Sequence, residues 1–562
     1  MRAFPWQATY PASVPLEIDP DIYPSLIDLL EDCFSKYADK EAYENMGKVF
    51  TYRELDEKSK AFASYLQNDL GLKPGDRLAI QMPNVLQVPI ALFGAIRAGV
   101  TVVNTNPLYT PSEMKHQFND AGVTAVVILA NFAGHLEEIL AETSIKHVIV
   151  SEIGDSLGGL KGFIVSAVVK HLKKMVPSYH LPSAKSFKDV MKVADPSKYT
   201  RPSIASDSNA FLQYTGGTTG VSKGAMLTHR NMVANLEQVS GWMGTSKLEI
   251  GKEIFITALP LYHIFALTVN AFLCAKLGAK SILITNPRDM KGFVKEIGKH
   301  PYTFITGVNT LFNGLLNTPG FDKIDHSNLK VAIAGGMALQ RFVAEKWHKV
   351  TGLPVAEGYG LTETSPVLCV NPLDENMRIG SIGLPVPSTE IVMLDDDGNE
   401  VPYGERGELC AKGPQVMKGY WNRPEETEKS FINGYFKTGD IAVQEPDGFI
   451  RIVDRKKEMI LVSGFNVYPN EVEECIVSME KVLEVGVIAV PDPKSTEAVK
   501  AYIVKADPSL TEEEVMEHCK ENLTGYKRPK YIAFTNELPK SNVGKIMRRI
   551  LKEQDLKENS YE

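Results

Sequence analysis

Cysteine is scarce in this chain and nowhere paired: six residues among 562, at positions 33, 274, 369, 410, 475 and 519, with no C-x-x-C spacing. That excludes a disulfide scaffold and a cysteine-based zinc module, and the 11 histidines form no cluster that would replace them. A cytosolic redox setting is expected. Val472, Cys475, Ile476 and Met479 recur at helical spacing, which makes Cys475 a core-facing residue. Long apolar runs are also missing. The best stretch, 255–285, is broken by His263, Asn270, Lys276 and Lys280, short of the roughly 20 apolar residues a spanning helix needs. The opening residues MRAFPW lack the apolar core of a secretory leader. Basic charge is not in excess either: Lys+Arg 61 against Asp+Glu 69 leaves a net −8, which speaks against general nucleic-acid binding. No internal repeat and no low-complexity tract is visible.

What is present is ordinary globular composition, 44% hydrophobic and 23% charged, in a chain too long for one core. Thr51 and Glu54 form a capping box ahead of a helix, a strand is expected over 77–82, a helix over 87–98, and strands over 100–103 and 123–129 with a helix from Ser112 between them. The alternation resumes at 254–258, 281–284, 304–305 and 331–334. It predicts a largely parallel α/β sheet architecture. From 381 to 454 short runs are punctuated by DDDG, NG and DG turns, the pattern of a β-rich subdomain. Beyond 457 the chain reads as a small α+β unit, with helices over 471–482 and 511–523 and strands over 485–490, 499–504 and 531–534. Two domains are expected, 1–454 and 455–562.

Residues 214–224, YTGGTTGVSKG, combine four glycines with Thr215, Thr218, Thr219, Ser222 and Lys223. Gly216, Gly217 and Gly220 let backbone N–H groups close on an anion, while the hydroxyls and Lys223 supply donors and charge. A strand before the loop and a helical pattern over 226–239 after it predict a strand–loop–helix phosphate site. The P-loop spacing G-x-x-x-x-G-K-[ST] does not fit. Residues 220–224 do satisfy G-x-S-x-G, but several loop residues separate Ser222 from the strand, against the sharp elbow a hydrolase serine requires.

Further along stand AGGM at 334–337, EGYGLTE at 357–363, YFKTGD at 435–440, DRKK at 454–457 and PKSNVGK at 539–545. With the glycine loop, and in this order over nearly the whole chain, these motifs resemble the adenylate-forming superfamily of acyl-CoA synthetases, luciferases and peptide-synthetase adenylation domains. Residues 433–457 are similar to the fatty acyl-CoA synthetase signature; NPLYT at 106–110, SGFNVYP at 463–469 and LTGYK at 523–527 are similar to bacterial long-chain fatty acid CoA ligases.

The resemblance implies a large α/β domain with a β-rich subdomain, followed by a small mobile α+β domain, and ATP-dependent conversion of a fatty acid to acyl-CoA through an acyl-adenylate. The alternative is a ligase that loads a carrier protein or takes medium-chain or aryl acids. ATP and CoA are the implied co-substrates and Mg²⁺ the implied cofactor, held by Glu363 and Thr215. Residues implied to bind nucleotide are Thr215, Gly216, Gly217, Thr218, Thr219, Gly220, Lys223, Gly335, Glu357, Gly358, Tyr359, Gly360, Thr362, Asp440, Ile452, Arg455 and Lys545. Tyr359 is expected on adenine, Asp440 and Arg455 on ribose, and Lys545 across the acyl carboxylate and α-phosphate as a catalytic group alongside Glu363 and Thr215. His263, Val308, Gly336 and Gly464 are implied for the acyl and CoA pockets, and Lys457 for the hinge.

Residues 157–182 interleave Leu160, Phe163, Ile164, Val168 and Leu172 with Lys161, Lys170, His171, Lys173 and Lys174. Two readings stay open: reversible contact with a membrane surface, or a helix packed on its own domain with a solvated basic edge. The cytoplasm, or the inner face of its membrane, is the expected location, with a homodimer as a further expectation and no nucleic-acid partner.

Overall fold

The computed structural model describes residues 4–215, 222–541, 544–559 and 561. A seven-stranded sheet runs Lys185–Ser186, His147–Ser151, Ala125–Leu129, Arg77–Gln81, Thr101–Asn104, Asn209–Thr215 and Lys223–Thr228, parallel except for the last strand. A nine-stranded sheet is parallel through its centre, from Ala356–Gly360 by way of Val331–Ala334, Phe304–Gly307, Ile254–Thr257 and Lys280–Leu283 to Glu41–Asn45, with antiparallel strands at both edges. Strands of a parallel sheet are covered on both faces, and Ala125–Leu129 and Val331–Ala334 are accordingly buried at every position.

Local signals set the helices. The Thr51/Glu54 capping box starts Tyr52–Asn68, and equivalent boxes at Thr110/Glu113 and Thr511/Glu514 start Pro111–Ala121 and Glu512–Asn522. Helix Gln87–Arg97 crosses Tyr52–Asn68 at Gly94, where an added Cβ would lie 2.8 Å from the Phe62 ring. One expectation fails here. The helix expected over 226–239 forms from His229 onward with Thr228 as its cap, but its first three residues belong to a strand, Lys223–Thr228, paired antiparallel with Asn209–Thr215. Ala225 and Leu227 are buried, and the backbone of the run pairs with the neighbouring strand, which overrides helix periodicity. The glycine loop therefore links two strands of a hairpin, not a strand to a helix. The same strand removes the hydrolase elbow, which needs a helix after its serine.

A third, antiparallel sheet contains Glu390–Leu394, Arg406–Lys412, Tyr435–Gln444, Phe431–Ile432 and Ile450–Arg455, the β-rich subdomain expected from the turn signals. Beyond it a fourth sheet joins Ile460–Val462, Phe465–Val467, Val482–Asp492, Thr496–Lys505 and Tyr531–Thr535. Helices Pro469–Val477, Glu512–Asn522 and Arg548–Glu558 complete this smaller unit, which has its own core around Val472, Ile476, Val487 and Val515. The hairpin 460–467 and the last helix carry too few residues, or too little apolar character, to be seen in the sequence. Cys475 lies at the edge of that core, partly buried.

No described helix is long and apolar enough to cross a membrane. In the 157–182 stretch, Gly159–Ala167 packs through Gly162 against Gly154, yet Leu160, Phe163 and Leu172 are 74%, 72% and 77% exposed, with Ile164 and Met175 also turned outward.

Candidate active site

One corner of the site is built by strand register. Asp440 on Tyr435–Gln444 stands opposite Arg455 on Ile450–Arg455, and the Arg455 Nε lies 3.5 Å from its Oδ1. The Tyr359 hydroxyl donates to Asp440 Oδ2 at 2.5 Å from strand Ala356–Gly360. Burial raises the Asp440 carboxyl, opposed by Arg455, the Tyr359 hydrogen bond and Lys545. Burial likewise holds the Tyr359 phenol far above its ordinary value, so it remains a donor. Ile452 packs in the same small apolar cluster as Tyr359.

Lys545 reaches this corner from the smaller C-terminal unit. Burial pulls its ammonium down to about 8, Arg455 pulls the same way, and Glu458 and Asp440 oppose. His263 is held down to about 4 by burial and next by the charge of Lys545, so its imidazole is neutral near pH 7. The preceding residue, Gly544, is seated on the large domain: Thr310 Oγ1 donates to its carbonyl at 3.0 Å, and a Cβ there would lie 3.3 Å from Val308 Cγ2. Arg548 ties the seat together with ion pairs to Glu473 at 2.7 Å, to Asp454 at 3.5 Å and to Glu458. Asp454 in turn accepts from the Asn470 N–H at 2.8 Å.

Several glycines have physical reasons to be glycine. A Cβ on Gly360 would sit 1.9 Å from the Pro366 carbonyl oxygen. One on Gly335 would meet the Phe265 ring at 3.0 Å, and one on Gly336, at φ +78°, would sit 3.9 Å from Val308 Cγ1. Val308 and Gly336, both implied for the acyl and CoA pockets, are therefore neighbours, and Phe265, two residues after His263, lies against Gly335. Gly358 is a strand residue paired with Val370. The Glu357 carboxylate, pushed up to about 7 by burial, accepts from the Leu339 and Gly380 N–H groups and braces the loop that follows Gly336.

Thr215 pairs with Lys223 at the mouth of the hairpin; Gly216, Gly217, Thr218, Thr219 and Gly220 lie outside the described residues. The short turn Thr362–Thr364 runs beside both hairpin strands and carries buried Glu363. Carboxylate and threonine hydroxyl are hard oxygen donors, the chemistry Mg²⁺ prefers alongside phosphate oxygens, so Glu363 and Thr215 fit that ion. Tyr214 does not join the loop's hydroxyls. It is a core residue whose Oη donates to Asp120 Oδ2 at 2.6 Å. Gly464, at φ +85°, sits on an exposed turn with no heavy atom within 4 Å of a built Cβ, and Lys457 is exposed on the turn Lys456–Glu458.

Residues 30–421 match the family model described as AMP-binding enzyme, and residues 471–545 match the AMP-binding enzyme C-terminal domain. The chain belongs to the AMP-binding enzyme family. Within the family it is 57% identical over 549 residues to a long-chain-fatty-acid–CoA ligase of Escherichia coli O6:H1, covering 98% of each chain, and 37% identical to the long-chain-fatty-acid–CoA ligase of Bacillus subtilis at the same coverage. Among solved structures, ATP-bound MatB from Rhodopseudomonas palustris aligns with a TM-score of 0.81 at 28% identity, covering 94% of this chain and 99% of that one. Tyr359, Asp440 and Arg455, from three of the ordered motifs, are in contact through Asp440, and Lys545 from a fourth lies within electrostatic reach of Asp440 and Arg455. Residues that sequence reading missed are Asp120, Thr310, Tyr420 and Arg548; Tyr420 alone had a visible signal, an aromatic pair set in the turn-rich stretch KGYWN.

Proposed function

We infer that the protein activates long-chain fatty acids with ATP and transfers them to CoA. The carboxylate oxygen attacks the α-phosphorus, breaking the α–β anhydride and releasing pyrophosphate; the CoA sulfur then attacks the acyl carbon, the thiol gives up its proton, and AMP leaves. The observation that carries the reading is the seating of Gly544 on the large domain through Thr310, which brings Lys545 of the smaller unit within electrostatic reach of Asp440, Arg455 and His263. An ammonium held there faces charge that builds as carboxylate meets phosphate, the situation in which fixed donors contribute most. Asp440 and Arg455 fit ribose and Tyr359 the adenine edge. When bound at Glu363 and Thr215, Mg²⁺ neutralises charge on the phosphates.

The contacts of Gly544 and Arg548 fit the first half-reaction, and the exposed turn at Gly464 fits a role in the second, reached by rotation near Lys457 with residues 455–562 moving against 1–454. The exposed apolar side chains of 157–182, flanked by Lys170, Lys173 and Lys174, favour reversible contact with an anionic membrane surface over the packed-helix reading, since a packed helix would bury them.

The test is incubation with ATP, Mg²⁺ and oleate, with and without CoA, following AMP, pyrophosphate and acyl-CoA. Acyl-CoA formed only with CoA, and kcat/KM rising by the equivalent of about 0.8 kcal/mol per CH₂ until the pocket ends, is expected. A maximum at two to four carbons, or full turnover to a free product without CoA, overturns the reading.

A further inference from the structure

Glu363 is not left to find its own orientation. Tyr420 Oη donates to its Oε1 at 2.7 Å, both residues are buried, and the Met417 N–H donates to the Glu363 carbonyl at 2.7 Å. The segment carrying Tyr420 is also zipped to the strand that leaves the glycine loop. Met226 N–H donates to the Gly419 carbonyl at 2.9 Å, Lys418 N–H to Met226 at 3.0 Å and Trp421 N–H to Gly224 at 2.8 Å, with Ala225 and Tyr420 bridged across. The outer face of the same ring carries the Lys223 ammonium, 4.4 Å from the centroid, which also pairs with Glu426 at 2.7 Å. One side chain thus touches both the acid at 363 and the lysine at the mouth of the glycine loop.

We propose that Tyr420 is a positioning residue for the metal–phosphate end of the site: its hydroxyl fixes Glu363 Oε1 and so presents the other carboxylate oxygen to the divalent cation, while its ring seats Lys223. This rests on Glu363 being the metal ligand. Hydrogen-bonded partners of a ligating carboxylate orient it, and losing one typically weakens metal binding by about 10–100-fold.

The probe is Mn²⁺ with ATP on the full-length protein, with free Mn²⁺ read by electron paramagnetic resonance. Tyr420→Phe keeps the ring and its contact with Lys223 and removes only the donor. The expected result is a metal dissociation constant about 10-fold or more above wild type, a matching rise in the Mg²⁺ concentration for half-maximal adenylation, and unchanged KM for oleate. Installing 4-aminophenylalanine at 420 restores a donor and should restore affinity; 4-fluorophenylalanine, which fills the same space without one, should not, and this pair carries the test if the Phe variant folds poorly. Wild-type metal affinity in the Phe or 4-fluorophenylalanine protein overturns the proposal. Glu363→Gln separates the two ideas: if it binds metal as wild type does, the assignment of Glu363 itself is wrong, whereas weak binding there with normal binding in Tyr420→Phe sinks only the role of Tyr420.

Discussion

Replacing Lys545 with alanine tests the site at its most exposed assumption, that a charge delivered from the smaller unit serves only the first half-reaction. Loss of one donor aimed at developing charge costs about 10²–10³ in rate. With the ammonium at about 8, Lys545 is about nine-tenths protonated at pH 7, about half at pH 8 and about one-tenth at pH 9. A depressed lysine is charged below its site value and loses that charge as pH rises through it, so the advantage of wild type over Lys545→Ala should be flat below pH 8. Above it, the advantage should shrink towards tenfold per unit. Bound ATP and carboxylate favour the charged form and can only move this limb upward. Glu357, at about 7, titrates on the acid side of the window, and His263, at about 4, lies below it. The assay is pyrophosphate exchange from pH 6.5 to 9.5 for both proteins. Because pyrophosphate itself titrates in this range, the ratio of the two rates is the quantity to read. Thioester formation from synthetic oleoyl-adenylate and CoA is measured in parallel and should be preserved. Equal damage to both half-reactions, or a ratio that does not fall with pH, refutes the reasoning.

Arg548→Ala should destabilise the smaller unit by about 3–5 kcal/mol, since Glu473, Glu458 and Asp454 lose their buried partner. Burial already raises Asp454 to about 6, so in the variant it takes a proton more readily and the deficit in thermal unfolding should be smaller at pH 5 than at pH 8; an equal deficit counts against a charge origin. Gly360→Ala should lower Tm through its clash with the Pro366 carbonyl, at the upper end of the roughly 1–3 kcal/mol that overpacking costs. Gly464→Ala meets nothing and should cost only the roughly 1–2 kcal/mol of a left-handed residue, while slowing thioester formation and sparing adenylation. Changing Lys170, Lys173 and Lys174 to Gln should weaken co-sedimentation with anionic liposomes by about 1 kcal/mol per lysine, and Phe163→Ser with Leu172→Ser should weaken it on neutral liposomes too. Unchanged sedimentation in both sets removes the membrane reading.

Local chemistry made much of this molecule legible in advance. Capping boxes fix helix starts because donor and acceptor lie three residues apart, and the strands expected over 123–129 and 331–334 from their alternation with helices are buried strands, Ala125–Leu129 and Val331–Ala334. The ordered motifs from 214 to 545 pointed to the family and to the residues proposed for the site. The sequence could not show that residues 223–228 pair back on 209–215, because a short apolar run fits helix or strand equally until a neighbour supplies hydrogen bonds. Nor could it show Tyr214 turned to Asp120, Tyr420 held on Glu363, or Arg548 paired with Glu473, pairs separated by 94, 57 and 75 positions. Residue types and spacing determined which chemistry the chain carries. Which side chains orient that chemistry was decided by contacts between distant segments, whose geometry exists only once the sheets have packed and the smaller unit has docked.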